Sequence, residues 1–369
     1  MKIFEVINVD FALAQFLLPL MREIRARGHE VIGVCADGPM LAQVRAEGFR
    51  VIPMPLVRSL SIPGQFRAFR ALLRVIKAER PDLVHAHMPI SGVLARVAAK
   101  IAGVPRIATT CHGFLFNQPG HPLRQLAGWG AEFIAARCTD VFLTVSTEEA
   151  GDARRLLLVA NPIPVGNGAD PARFHPDSAA RARIRAELGV PDDRVVILIA
   201  SRLVRHKGYP EVLAAMEQVP DAELWVAGAR LASDHGEDME PYFARSTLGP
   251  RLRRLGWRSD IPALLAAADI FVLPSHFEGL PLSVIEAMMS GLPVVATEIR
   301  GPRELIEPGA SGLLVPAGAS EPLAAALSQF VTNPALRAAM GARGRQIALT
   351  RYNESTIAQR TLDLLLATG

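Results

Sequence analysis

DIFVLPSHFEGLPLSVIEAMMSG, residues 269–291, carries the pattern that sets the fold. Residues 270–273 are an unbroken apolar run, the composition of a strand buried on both faces. Pro274 ends it, because proline has no N–H for a sheet ladder. His276, Phe277, Glu278 and Gly279 follow as a loop. A helix starts near Pro281, since proline suits the first helical turn, and stops at Gly291. Strand, loop and helix in that order make one half of a parallel crossover unit.

The same alternation runs outward in both directions. Toward the amino terminus, strands are expected at residues 2–8, 30–35, 50–54, 82–86, 106–111 and 141–145. Helices are expected at 13–27, 39–47, 64–79, 90–102 and 122–137. Residues 161–176 are rich in Pro, Gly and Asn and read as a linker. The pattern then restarts, with a helix at 179–188 and strands at 195–200, 223–227, 270–273, 294–296 and 312–315. An amphipathic helix over 353–366 closes the chain. Short connections between alternating strands and helices imply parallel sheets covered on both faces. The expected fold class is α/β, with two doubly wound, Rossmann-like parallel-sheet domains. Their expected extents are 1–168 and 169–350, with a tail at 351–369.

Bulk properties agree with an ordinary enzyme. The chain has 369 residues, 50% hydrophobic and 21% charged, enough for two domains with normal cores. No stretch resembles a membrane span or a secretory leader, so a cytoplasmic location is expected. Cys35, Cys111 and Cys138 are odd in number and widely spaced, as free thiols in a reducing compartment would be. Residues 1–170 hold 19 Lys and Arg against 14 Asp and Glu, whereas the remainder holds 21 against 22. The cationic surplus thus lies in the first half, which suits an anionic acceptor or surface there. No dense basic run with interleaved aromatics exists, so nucleic acid is not an expected partner.

Ligands of open α/β sheets lie outside the carboxyl ends of strands. Backbone N–H groups from Leu280 to Ser283, among Gly279, Leu280, Pro281 and Ser283, would face that crevice and, with the helix dipole, suit a phosphate. Glu278 and Glu286 bracket this helix start. A carboxylate there repels an anion but accepts hydrogen bonds from hydroxyls. Glu278 is therefore expected at a transferred sugar and Glu286 at ribose hydroxyls. Arg202 and Lys207 follow the first strand of the second domain, and two cations there can clamp a diphosphate and stabilise it as a leaving group. Arg205 and His206 are expected to face solvent. His112 ends a first-domain strand, where it can meet a donor hydroxyl or the acceptor. His85 and His87 also end a strand on one face, but no companion carboxylate pattern is visible, so no metal is expected there. No DxD-type carboxylate pair appears, and Asp192 and Asp193 read as a turn. Residues 8–16, NVDFALAQF, lack the GxGxxG turn of a dinucleotide dehydrogenase.

These pieces together resemble the retaining glycosyltransferases of the GT-B fold, in the large fourth sequence family. The matching stretches are GNGADPARFHP (166–176), ASRLVRHKG (200–208), GWRSDIPALLAAADIFVLPSHFEGLPLSVIEAMMSGLPVVAT (256–297), GPREL (301–305) and GASGLLVP (309–316). The resemblance implies two domains facing across a cleft, the first on the acceptor side, the second binding donor, and a tail helix returning to the first. It implies donor contacts at Arg202, Lys207, Glu278, Gly279, Leu280, Pro281, Ser283 and Glu286, and a histidine near the reacting centre at His112. Many members carry a Gly-Gly pair after the first strand, where Val9-Asp10-Phe11-Ala12 stands here. Many also carry a glycine pair where residues 300–302 read Arg-Gly-Pro. A subset with such variations resembles enzymes that extend lipid-linked sugars for surface glycans, often from a UDP-sugar.

The expected activity is metal-independent, retaining transfer of a hexose or N-acetylhexosamine from a nucleotide diphosphate sugar. The acceptor would be a glycan or polyprenyl-diphosphate-linked sugar. No cofactor is expected. Residues 63–74 and 121–137 mix apolar and basic side chains at helical spacing, which suits either a core face or peripheral contact with an anionic bilayer. The alternatives are a nucleotide-sugar epimerase of similar shape and a non-catalytic sugar-nucleotide binding protein.

Overall fold

The computed structural model describes residues 1–56, 61–118, 121–230, 234 and 237–367. Residues 368 and 369 of the expected tail lie outside that set. The chain divides into two compact units, Met1–Asn167 with Glu354–Gly369, and Gly168–Asn353.

In the first unit the strands are β1 (Lys2–Val6), β2 (Glu30–Cys35), β3 (Arg50–Pro53), β4 (Leu83–His87), β5 (Arg106–Cys111), β6 (Val141–Thr144) and β7 (Ile163–Pro164). They form one parallel sheet in the order β3-β2-β1-β4-β5-β6-β7. One face is buried by Leu13, Leu17, Met21 and Ile24 and by Leu362 and Leu365 of the tail helix Glu354–Leu366. The other is buried by Leu72, Ile76, Ala95 and Ala99 of helices Ile62–Glu79 and Pro89–Ala102. Strand order reverses between β1 and β4, which opens a crevice at their carboxyl ends.

The second unit holds β8 (Val195–Ala200), β9 (Ala222–Ala227), β10 (Leu252–Gly256), β11 (Ile270–Leu273), β12 (Val294–Thr297) and β13 (Gly312–Val315). Their order is β10-β9-β8-β11-β12-β13, again all parallel. The reversal here lies between β8 and β11. The loops after those two strands carry Arg202, Lys207 and Glu278, so topology brings together residues far apart in sequence.

Four elements depart from the sequence expectation. The helix expected over 13–27 starts at Asp10, runs as a π turn over Leu13–Leu17 and continues as Leu18–Ala26. Pro19 is the physical cause, since it cannot donate to residue 15 and its ring crowds that carbonyl; a wider turn relieves both. A helix over Thr147–Arg155 was not anticipated; Ser146 caps it by accepting from the Glu149 N–H at 3.1 Å. Strands β7 and β10 were also missed. Among the described residues, no helix is long and apolar enough to cross a membrane. Cys35 and Cys111 are buried, Cys138 is half-buried, and all three are free.

Candidate functional site

In the second unit the chain leaves β8 through Ser201–Val204, makes a single 3-10 turn over Arg205–Lys207, and enters helix Tyr209–Glu217. Gly208 makes this tight turn possible. Its φ is +78°, and a Cβ there would fall 1.9 Å from the Pro274 carbonyl oxygen. The loop after β8 is thus pressed against the end of β11 with no room for a side chain. The His276 N–H donates to the His206 carbonyl at 2.8 Å and ties the two loops together.

That contact aligns the charged side chains. Lys207 Nζ donates to Glu278 Oε1 at 2.6 Å, with both side chains largely buried. Arg202 bonds to Asp234, whose carboxylate is buried. Arg205 Nη1 reaches Glu211 at 3.0 Å, and His276 Nε2 lies 3.1 Å from the same carboxylate. Each of these three cations therefore meets a carboxylate. Arg205 and His206 face solvent only in part, where open exposure was expected. Both are half-buried, and the His206 ring stacks on Phe277 with centroids 4.4 Å apart. Burial, then the Lys207 and Arg202 cations, push the His206 imidazole down to about 4, so it is neutral near pH 7.

Helix Leu282–Met289 begins beside this cluster. Pro281 is its N-cap and supplies no side-chain cap. Pro281 itself has no N–H, so the expected row of donors from Leu280 to Ser283 is shorter than the sequence suggested. Among the described residues, the N–H groups of Leu282 and Ser283 have no partner, while that of Val284 bonds the Pro281 carbonyl at 3.2 Å. Glu286 sits half-buried on the second turn. Gly279 is clasped from behind by Gly301: φ there is +82°, and a Cβ would lie 2.0 Å from the Gly279 carbonyl oxygen. The Arg-Gly-Pro at 300–302 thus retains the one glycine this packing requires. Asp192 and Asp193 lie in an exposed turn.

In the first unit, the crevice at the carboxyl ends of β1 and β4 is built differently. After β1, the Asp10 carboxylate accepts from the Met40 N–H at 3.0 Å and packs against Gly38. Asp10 thus anchors the loop after β2, where a glycine pair would leave open backbone. His112 follows β5 and is half-buried, with the Phe16 ring stacked over it at 6.3 Å. Its Nε2 lies 3.1 Å from His87 Nδ1. His87 Nε2 in turn lies 2.7 Å from Glu5 Oε2, and His85 Nδ1 lies 3.0 Å from the same oxygen. His85 Nε2 meets Thr110 Oγ1 at 2.8 Å.

The sequence reading found no carboxylate to accompany His85 and His87; the structure corrects this with Glu5. Parallel pairing sets Glu5 opposite His85, a register hidden by a sequence separation of 80 residues. Glu5, His85 and His87 offer ligand atoms within 4.8 Å of one another, the spacing of a metal cradle. Burial alone would raise the Glu5 carboxyl, but the charge and hydrogen bonds of His85 and His87 outweigh it and hold it at about 2. Burial, reinforced by His85 and only partly opposed by Glu5, lowers His87 to about 4. Burial first, then His87 and His85, depress His112 well below the usual histidine range.

Comparison with known proteins agrees with this geometry. Residues 12–168 match the glycosyl transferase 4-like domain, and residues 180–347 match glycosyl transferases group 1. The chain is 30% identical over 290 residues to UDP-Gal:alpha-D-GlcNAc-diphosphoundecaprenol alpha-1,3-galactosyltransferase of Escherichia coli, covering 76% of this chain and 75% of that one. It is 28% identical to N,N'-diacetylbacillosaminyl-diphospho-undecaprenol alpha-1,3-N-acetylgalactosaminyltransferase of Campylobacter jejuni, covering 96% and 95%. Among solved structures, Anabaena HepE in complex with UDP superposes with a TM-score of 0.83 at 24% identity, over 99% of both chains. The two family models, the relatives and the shared architecture place the chain in one family: it belongs to the GT-B-fold glycosyltransferases of the fourth sequence family.

Proposed function

We propose that this glycosyltransferase moves a hexose or N-acetylhexosamine from a UDP-sugar to a lipid-linked glycan, with retention of configuration and without a metal ion. The observation that carries the donor half is the cluster at the β8–β11 switch point. Arg202, Lys207 and the uncapped start of helix Leu282–Met289 offer three kinds of positive potential at the carboxyl ends of the central strands. A diphosphate suits that set, and it would displace Glu278 and Asp234 from their cations. Glu278, released from Lys207, is then an acceptor for sugar hydroxyls, and Glu286 one for ribose hydroxyls. Complexes of HepE with UDP and with UDP-glucose support a uridine donor.

In the proposed step, the bond from the anomeric carbon to the diphosphate oxygen breaks as the acceptor oxygen bonds to that carbon from the same face. The acceptor proton passes to the departing phosphate. Arg202 and Lys207 gain interaction as charge builds on the leaving group, so they act mainly in the transition state.

The acceptor half rests on the relatives whose names specify diphosphoundecaprenol-linked sugars, and on the surface of the first unit. Leu123, Leu126 and Ile134 of helix Pro122–Ala136 are 69%, 62% and 61% exposed. Beside them lies an apolar cavity of about 220 Å³, lined by Ile90, Val93, Leu94, Leu115 and Phe116, with Arg124 on its wall. Apolar side chains next to arginines suit an anionic, lipid-bearing acceptor at the inner face of a membrane.

The deciding experiment is thermal melting with UDP, GDP, ADP and NAD, each with and without EDTA. UDP is expected to raise the midpoint equally in both conditions, by mass action on the folded state. Stabilisation that vanishes with EDTA would remove the metal-free reading, and a response to NAD alone would remove the donor site.

A further inference from the structure

Four ionisable side chains lie on one face of the first sheet, in the layer otherwise filled by Ile3, Leu83 and Ala108. Glu5, His85 and His87 are essentially inaccessible to solvent, at 0%, 0% and 1%. A carboxylate and imidazoles are tolerated there only when their polar atoms are satisfied by hydrogen bonds. The satisfaction is directional, and it ends at His112.

The protons can be assigned in sequence. The Glu5 carboxylate is ionised and can only accept. His87 Nε2, at 2.7 Å from it, must therefore carry a proton and donate. His87 is neutral near pH 7, so its Nδ1 holds a lone pair and must accept. The group 3.1 Å from that lone pair is His112 Nε2, which must then carry the proton. A neutral His112 with its proton on Nε2 has a bare lone pair on Nδ1. Among the described residues nothing donates to that atom.

We propose that Glu5 and His87 are positioning residues that fix His112 as the tautomer protonated at Nε2, leaving Nδ1 to accept from a sugar hydroxyl. The proposal rests on the reading of His112 as a sugar contact, and it adds a direction to that contact. The ligand group opposite Nδ1 must be an O–H that donates. A sugar in which fluorine replaces that hydroxyl has an acceptor facing an acceptor and is disfavoured. An unrelayed histidine would tolerate both, by moving its proton to the other nitrogen.

The test reads the tautomer itself. Long-range proton–nitrogen correlation spectra of the ¹⁵N-histidine-labelled full chain distinguish protonated from bare ring nitrogens. At pH 7 the wild type is expected to show His112 with its proton on Nε2 alone. Glu5→Gln gives His87 a neutral partner that can donate or accept, and His87→Phe fills the volume without an acceptor. In both, the His112 signals are expected to move toward a tautomer average. Donor kcat/KM should fall about threefold to tenfold, the worth of one neutral hydrogen bond, while inhibition by UDP, which lacks the transferred sugar, stays unchanged.

The tautomer result does not depend on turnover, so it separates failure of this proposal from failure of the assigned activity. His112 protonated on Nδ1, or a pattern unchanged in both variants, would overturn the relay. Altered tautomers with unaltered kcat/KM would overturn the sugar contact. Stoichiometric metal retained through EDTA dialysis would also overturn the relay, because an ion on Glu5, His85 and His87 would occupy the nitrogen that donates to Glu5.

Discussion

Lys207 and Glu278 face each other at 2.6 Å with little solvent between them and bulk water. Such a pair holds both side chains in place before any ligand arrives. In the proposed function, a diphosphate with a higher charge density than one carboxylate would draw Lys207 away, and Glu278 would then need hydroxyls to bond it. On that proposal, diphosphate binding and sugar recognition would be linked through this one contact. Lys207→Ala is expected to lower kcat by about 10²–10³, the range for losing one group that stabilises developing charge. The donor KM should change much less, in steady-state kinetics. A raised KM with kcat intact would mean that Lys207 binds ground and transition states alike. Lys207, Arg202 and Glu278 were legible in the sequence because each is a charged residue just past an apolar strand. Asp234, Glu211 and Glu5 were not, because their importance lies in which distant residue they meet. Arg205 and His206 were misjudged for the same reason: a polar side chain in a loop reads as solvated until its partner, Glu211 for Arg205 and Phe277 for His206, is known.

Elements were legible where burial dictated composition. The four-residue central strand β11 stands out as an unbroken, fully buried apolar run, and its bounds needed no adjustment. Strand β10 was lost because it lies at a sheet edge and carries Arg253 and Arg254 in ion pairs with Glu223 and Glu240. Its sequence therefore looks like a loop. The helix Thr147–Arg155 was lost because its sequence, TEEAGDARR, has almost no apolar stripe; its cap and its charge order hold it instead. The helix Pro122–Ala136 presents the opposite case. Its apolar stripe was visible, but half of that stripe points outward at Leu123, Leu126 and Ile134. Co-sedimentation with anionic vesicles at low salt should recover the protein, and Leu123→Glu with Leu126→Glu should abolish recovery while leaving the melting midpoint within about 1–2 °C. Wild-type protein remaining in the supernatant would make that stripe an ordinary surface feature.

At the scale of the whole molecule, the tail is the unusual part. Helix Glu354–Leu366 buries Ala358, Thr361, Leu362 and Leu365 in the first unit, and Asp363 pairs with Arg27. The two crossover segments run side by side, with Ala169 N donating to the Tyr352 carbonyl at 2.9 Å. Deleting side-chain volume from a fully buried leucine costs about 2–5 kcal/mol. Leu362→Ala is therefore expected to lower the urea midpoint by a large fraction of the stability of an ordinary domain. An unchanged midpoint would mean that the tail is undocked in solution.

The return of the tail also orders events in time. A ribosome releases residues from first to last, so the sheet β1–β7 is complete in sequence while the whole second unit is still being made. Throughout that interval Leu13, Leu17 and the neighbouring apolar side chains lack the helix that covers them. The second unit is contiguous and can finish first; the first, begun earliest, closes last. A nascent chain stalled before residue 354 would thus carry one finished body and one unsealed one, and exposed apolar surface of that kind is what holding chaperones bind.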